Sequence, residues 1–164
     1  MTRREIPVVA ARLRAELVRL DRTVHGAADV QTRARAGERG EPMLALACTT
    51  LHSCYNGIER CFDLVAREVD EARPEGPTSH RDLLDQMAVA VAGLRPAVLD
   101  DALRRALLPY LDFRHRFRHL YFFDLSWSDV DPLLGGLAPL WATLRARFDV
   151  FLADLEAHAR RDGG

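Results

Sequence analysis

The sequence predicts an all-α fold, an antiparallel bundle of about five helices in which residues 1–164 form one domain. Three observations point there. Apolar residues recur at intervals of three and four over long stretches, which is the period of a helix buried on one side. Glycine and proline cluster between those stretches and punctuate the chain. No alternating strand pattern of useful length intervenes, and helices joined by short to medium loops pack as neighbours in a bundle.

The first helix is expected over about 6–36. Val9, Leu13, Leu17, Leu20 and Val24 keep helical spacing, arginines fill the rest of the wheel, and Pro7 suits a first turn. Gly37, Gly40 and Pro42 then break the chain. A second helix follows from about Met43 to Val69, with Leu44, Leu51, Tyr55, Ile58, Phe62 and Val65 on its apolar side. After the loop 73–78, Ser79 is a cap candidate for a short helix reaching about Val91, with Asp82 as its capping partner. The fourth helix is expected from about Val98 to Phe123. A kink or restart is anticipated at Pro109, whose ring removes one backbone bond and crowds the preceding turn. The last helix covers about Leu133 to Arg160, with Ser128 or Asp131 as cap and a start blurred by Gly135, Gly136 and Pro139.

A chain of 164 residues can bury one real core and hardly two. Its 48% hydrophobic and 29% charged residues are those of an ordinary globular protein. Net charge is −1, so no global positive field draws nucleic acid and any such contact must be local. Every one of the 23 basic residues is arginine, a bias that codon usage explains, so position rather than number must carry the argument. Cys48, Cys54 and Cys61 follow no common zinc or redox spacing and read as buried thiols. No signal peptide or apolar run long enough for a membrane span is visible, so a cytoplasmic protein is expected, with no membrane partner.

The densest polar chemistry lies in Phe113-Arg114-His115-Arg116-Phe117-Arg118-His119-Leu120-Tyr121. Phe113, Phe117, Leu120 and Tyr121 keep helical spacing and can pack inward while the arginines and histidines project. A basic patch interleaved with aromatic residues suits a phosphodiester backbone with exposed bases. RNA carries its own nucleophile, the 2′-hydroxyl. A protein need add only proton transfer, which histidine performs near neutral pH, and charge stabilisation, which the arginine fork performs on phosphate oxygens. Arg114 and His119 supply one of each, with no cofactor or metal, and DNA is not an expected substrate.

Five residues along a regular helix turn the chain by about 500°, leaving Arg114 and His119 roughly 140° apart. Either the helix is distorted there or two copies of the chain build a composite cleft, as a symmetric dimer does. Three other readings stand beside this one. The arginines and histidines can simply form a solvated surface. His115 and His119, four apart, can share a metal with His52, although Arg116 occupies the place of the glutamate in an HExxH pattern and the nearby arginines oppose a cation. A non-catalytic module that binds nucleotide or docks a nucleotidyltransferase is the main alternative function.

Arg114 to Tyr121 fits Arg-x4-His-x-Tyr without a gap and resembles the signature of HepT-type toxins of the HEPN ribonuclease superfamily. Tyr55-Asn56-Gly57-Ile58-Glu59-Arg60 before Phe62 looks like that family's second-helix pattern, and 79–87 like its following short helix, so the resemblance covers about 43–155. It implies a HEPN-like homodimer acting as an endoribonuclease toxin. Arg114 and His119 would be catalytic, His115, Arg116 and Arg118 supporting or RNA-binding. It also implies a MntA-type nucleotidyltransferase antitoxin that adds AMP to the motif tyrosine, here Tyr121. His80 is part of the resemblance, with a structural hydrogen bond expected of it. His52 is expected to be a satisfied core histidine, and Trp127 and Trp141 packing or interface residues.

Overall fold

The computed structural model describes residues 5–119 and 124–161, with side chains through Ala157. Five α-helices and no strand make up the described residues. Helix α1 (Ile6–Arg35) carries Pro7 in its first turn and buries Val9, Leu13, Leu17, Leu20 and Val24, the stripe that its spacing implies. It ends at Gly37, whose φ of 102° is a conformation side chains disfavour. Helix α2 (Glu41–Leu64) takes Pro42 into its first turn, where the missing N–H costs nothing, and so starts slightly before Met43. It continues into a π-helical turn, Val65–Val69, closed by a bond from Asp70 N–H to the Val65 carbonyl.

Helix α3 (Ser79–Met87) is shorter than its expected reach to Val91. The reason lies in tertiary structure. Arg95 is buried, pairs with buried Asp70 at 2.5 Å, and donates to the carbonyls of Gln86 and Val89 at 3.2 and 2.8 Å. Those carbonyls find a guanidinium instead of another helical turn. At the other end, Ser79 is the first helical residue rather than the cap. Thr78 precedes it, and the Thr78 hydroxyl donates to Asp82 at 2.6 Å.

Helix α4 (Asp101–His119) begins after Asp100, whose carboxylate accepts the Leu103 N–H at 2.8 Å. It passes through Pro109 as one helix, without the expected restart. The expected extension to Phe123 lies outside the described residues. Helix α5 (Trp127–Arg161) starts well before Leu133 and keeps Pro132, Gly135, Gly136 and Pro139 inside it. Its cap is neither Ser128 nor Asp131. Asp129 reaches back to accept from the Ser126 N–H and hydroxyl at 2.9 and 2.8 Å, which is the half of a capping box in which the third helical residue bonds the residue before the helix.

Helix α2 is central: it packs on α1 along one side and on α4 along another, while α5 closes against α1. Gly57 permits the first contact, because a Cβ there would lie 2.5 Å from Leu20 Cδ2. The three cysteines are buried free thiols in the core. Trp141 is buried and its indole donates to Asp21 at 2.8 Å. Trp127 donates to the Arg39 carbonyl at 2.8 Å while the Arg39 guanidinium sits 4.4 Å above its ring. No helix among the described residues is long and apolar enough to cross a membrane.

Candidate functional site

Helix α4 buries Leu103, Leu107, Tyr110, Leu111 and Phe113, and Arg114 with them. Arg114 continues the stripe 103–107–110 at helical spacing, so a charged residue occupies a core position. It is only 7% exposed. The expectation that the motif's arginines all project outward is therefore wrong for this one. Arg116 and Arg118 do project, and Arg116 pairs with Asp129 at 2.9 Å, tying the end of α4 to the start of α5.

A buried guanidinium needs partners, and α2 supplies them. The Arg114 Nε–H donates to Asn56 Oδ1 at 2.8 Å, and Glu59 Oε2 lies 2.9 Å from the same nitrogen. Asn56 and Glu59 are three residues apart and so share the face of α2 that meets α4. No described residue bonds the two terminal nitrogens of Arg114. Among the described residues, then, one edge of the fork is anchored and the other is unpaired, the arrangement in which a fixed guanidinium can hold two oxygens of one phosphate.

The anchoring groups lead further in both directions. Asn56 presents its amide nitrogen to His52 Nε2 at 2.9 Å, and because the amide oxygen already accepts from Arg114, the amide is the donor here. The His52 ring lies tilted against Phe117 with centroids 4.7 Å apart, and burial followed by the charges of Arg114 and Arg118 lowers its pKa. The expected satisfied core histidine is half realised: Nε2 is bonded, while Nδ1 is buried with no partner among the described residues. On the other side, Glu59 Oε1 lies 2.9 Å from His80 Nδ1 on α3, close but off the line of a good hydrogen bond. Burial pushes the Glu59 carboxyl up to about 7, against the opposing pull of Arg114 and Arg118. Burial also lowers the His80 pKa, and Arg114, Arg118, Arg73 and His115 lower it further.

A line of polar groups, His52–Asn56–Arg114–Glu59–His80, thus runs from α2 through α4 to α3. Beside it opens a cavity of about 190 Å³ whose lining includes Arg114, Glu59, His80, Arg73 and Asp63. His119 does not line it. It is exposed at the last turn of α4, its ring 4.9 Å from that of exposed His115. The helix is α-helical throughout the span from Arg114 to His119, so distortion does not bring the two together, and within one protomer they face different ways. Tyr121 lies outside the described residues. His115, His119 and His52 do not assemble, and the described residues hold no group of three such side chains spaced for a metal ion.

Along the sequence Asn56 and Glu59 stand out only as members of a family-like pattern, with no chemistry of their own. The available signal was their polarity at positions of α2 otherwise filled by Leu51, Tyr55, Ile58 and Phe62. Comparison with known proteins adds one finding: a family model described as HepT-like protein matches residues 46–155, more than half of the chain. No curated protein and no solved structure matches.

Proposed function

The chain belongs to the HepT-like protein family, and on that premise we propose that it is a metal-independent endoribonuclease, the toxin of a HepT/MntA-type toxin–antitoxin pair. Its substrate is RNA, and cleavage by the 2′-hydroxyl leaves a cyclic phosphate. The observation that supports this best is the state of Arg114: anchored through Nε by Asn56 and Glu59, with no described residue bonding its terminal nitrogens, and lining a cavity. A guanidinium fixed in advance stabilises charge growing on a phosphate without reorganising during the reaction.

His119 provides proton transfer, contributed by the second protomer of a homodimer, since its own helix turns it away from Arg114. His115, Arg116 and Arg118 are the exposed positions that hold the RNA strand. A nucleotidyltransferase antitoxin of MntA type silences the enzyme by adding AMP to Tyr121, placing negative charge and bulk where an RNA phosphate must sit. The separation of Arg114 from His119 within one protomer favours a second reading, a module that binds nucleotide or docks the transferase without cleaving RNA.

Purified parent, Arg114→Ala and His119→Ala proteins, incubated with structured and unstructured RNA in the presence of a chelator, separate the two readings. Cleavage by the parent alone is expected. Equal activity in all three defeats the assignment, and an inactive parent that still binds nucleotide or a transferase supports the second reading.

A further inference from the structure

The imidazole that shares a cavity with Arg114 in its own protomer is that of His80. It stands on α3, an element separate in sequence from the motif helix, where spacing along the chain gives no sign of chemistry. Glu59 joins the two: one carboxylate oxygen is 2.9 Å from Arg114 Nε, the other 2.9 Å from His80 Nδ1. The carboxylate is 10% exposed and the imidazole 35% exposed, so the buried member supports a ring that reaches solvent. Nδ1 faces Glu59 at 2.9 Å without a well-aligned hydrogen bond, and the ring's other nitrogen, Nε2, is left to meet a substrate. A proton taken up by the ring lets the two close as an ion pair, which the ionised carboxylate favours.

We propose that His80 is a second catalytic histidine of the RNA cleavage put forward above, the proton acceptor for the 2′-hydroxyl, with Glu59 as its positioning residue. The inference rests on that reading. The 2′-hydroxyl proton passes to His80 Nε2 and the 2′-oxygen forms its bond to phosphorus. The bond from phosphorus to the 5′-oxygen breaks, and that oxygen takes a proton from protonated His119 of the second protomer. The products are a 2′,3′-cyclic phosphate and a 5′-hydroxyl, and solvent returns the proton from one histidine to the other. Arg114 holds the phosphate oxygens between the two.

The groups facing His80 suit an acceptor. Helix α2 presents Glu59, Arg60 and Asp63 around the cavity, the following loop presents Arg73, and α4 presents Arg114, Arg118 and His115. Arg73 is engaged by Asp63, and Arg60 by Glu16 at 3.3 Å. Burial and the surrounding cations favour a neutral ring near neutral pH, the form that takes up a proton.

His80→Asn keeps an N–H donor near Glu59 but removes the titratable ring. The experiment compares parent, His80→Asn, Glu59→Gln, Arg114→Ala and His119→Ala on mixed-sequence RNA across pH 5–9. Affinity is measured with a 2′-O-methyl RNA that cannot be cleaved, and melting temperature with each protein. His80→Asn should lose about 10²-fold or more in kcat, with the acidic limb of the rate profile gone and both affinity and melting temperature kept. Glu59→Gln should leave the limb near its place, because Glu59 itself takes up a proton below about 7, and should lower kcat above that pH, where the parent's carboxylate is charged. Parental rates and an unchanged profile in His80→Asn, alongside inactive Arg114→Ala and His119→Ala, overturn the role of His80 and leave the ribonuclease reading standing. So does a loss explained wholly by weaker RNA binding or melting. A parent that cleaves no RNA overturns both.

Discussion

Glu59 Oε2 lies 2.9 Å from Arg114 Nε, and each side chain is at least nine-tenths buried between α2 and α4. The pair is a motif arginine and an unheralded helix-2 carboxylate, and neither is comfortable in the core without the other. Removing one partner of such a pair leaves a buried charge, which costs more than the pair's own net contribution.

Arg114→Ala should therefore destabilise the protein by about 3 kcal/mol at pH 8, and by less at pH 5, where the stranded carboxyl takes up a proton. Adding Glu59→Leu should recover most of that stability while leaving the protein inactive. Urea denaturation of the two single variants and the double variant measures the coupling. Additive losses would mean that the contact carries no energy.

The Glu59 carboxyl titrates near 7 in the folded protein, raised by burial from an ordinary value of 4.5. Folding thus favours its protonated form: the stability this contributes is fully present below the ordinary value and is lost as pH rises through about 7. His80 and His52 are shifted downward and run the other way, contributing stability at neutral pH that is lost as pH falls. Glu59→Gln should gain on the parent between pH 5 and pH 8, by at most about 3 kcal/mol. Denaturation curves at the two pH values check this, and a difference that does not change with pH contradicts it.

If His119 of one protomer completes the site of Arg114 in the other, two inactive variants should rescue each other. Arg114→Ala and His119→Ala mixed in equal amounts and allowed to exchange subunits should form about half heterodimers, each with one intact site, and recover about a quarter of parental RNA cleavage. A mixture as inactive as its components would show that both groups must come from the same chain.

Gly57 lies where α1 and α2 approach, with a prospective Cβ 2.5 Å from Leu20 Cδ2 and 2.9 Å from its Cγ. Leu20 is 1% exposed, so any shift it makes presses on other core side chains. Gly57→Ala should destabilise by about 2 kcal/mol, although alanine is the better helix former by about 1 kcal/mol. A melting temperature at or above the parent's would mean that the helices separate at little cost.

Much of this arrangement is legible along the chain. Leu13, Leu17, Leu20 and Val24 announce the buried face of α1 by spacing alone, and the Arg114–His119 interval already implies that the two diverge on a regular helix. Where the reading stopped short, the cause is tertiary. Helix α3 ends at Met87, where Arg95 from the following loop takes the Gln86 carbonyl and the Val98 and Leu99 N–H groups take that of Met87. Helix α5 begins at Trp127 because Asp129 closes on Ser126.

The amino-acid order by itself determined that there are five helices, most of the apolar stripe each one buries and the Arg-x4-His-x-Tyr spacing, since a periodic pattern is a property of one segment. Only the packed structure decided that Arg114 is buried, that Asn56 and Glu59 hold its inner edge, and that His80 rather than His119 stands at its cavity. Helical period says which residues share a face. Which faces meet depends on how ridges and grooves of different helices interlock, and no single segment contains that information.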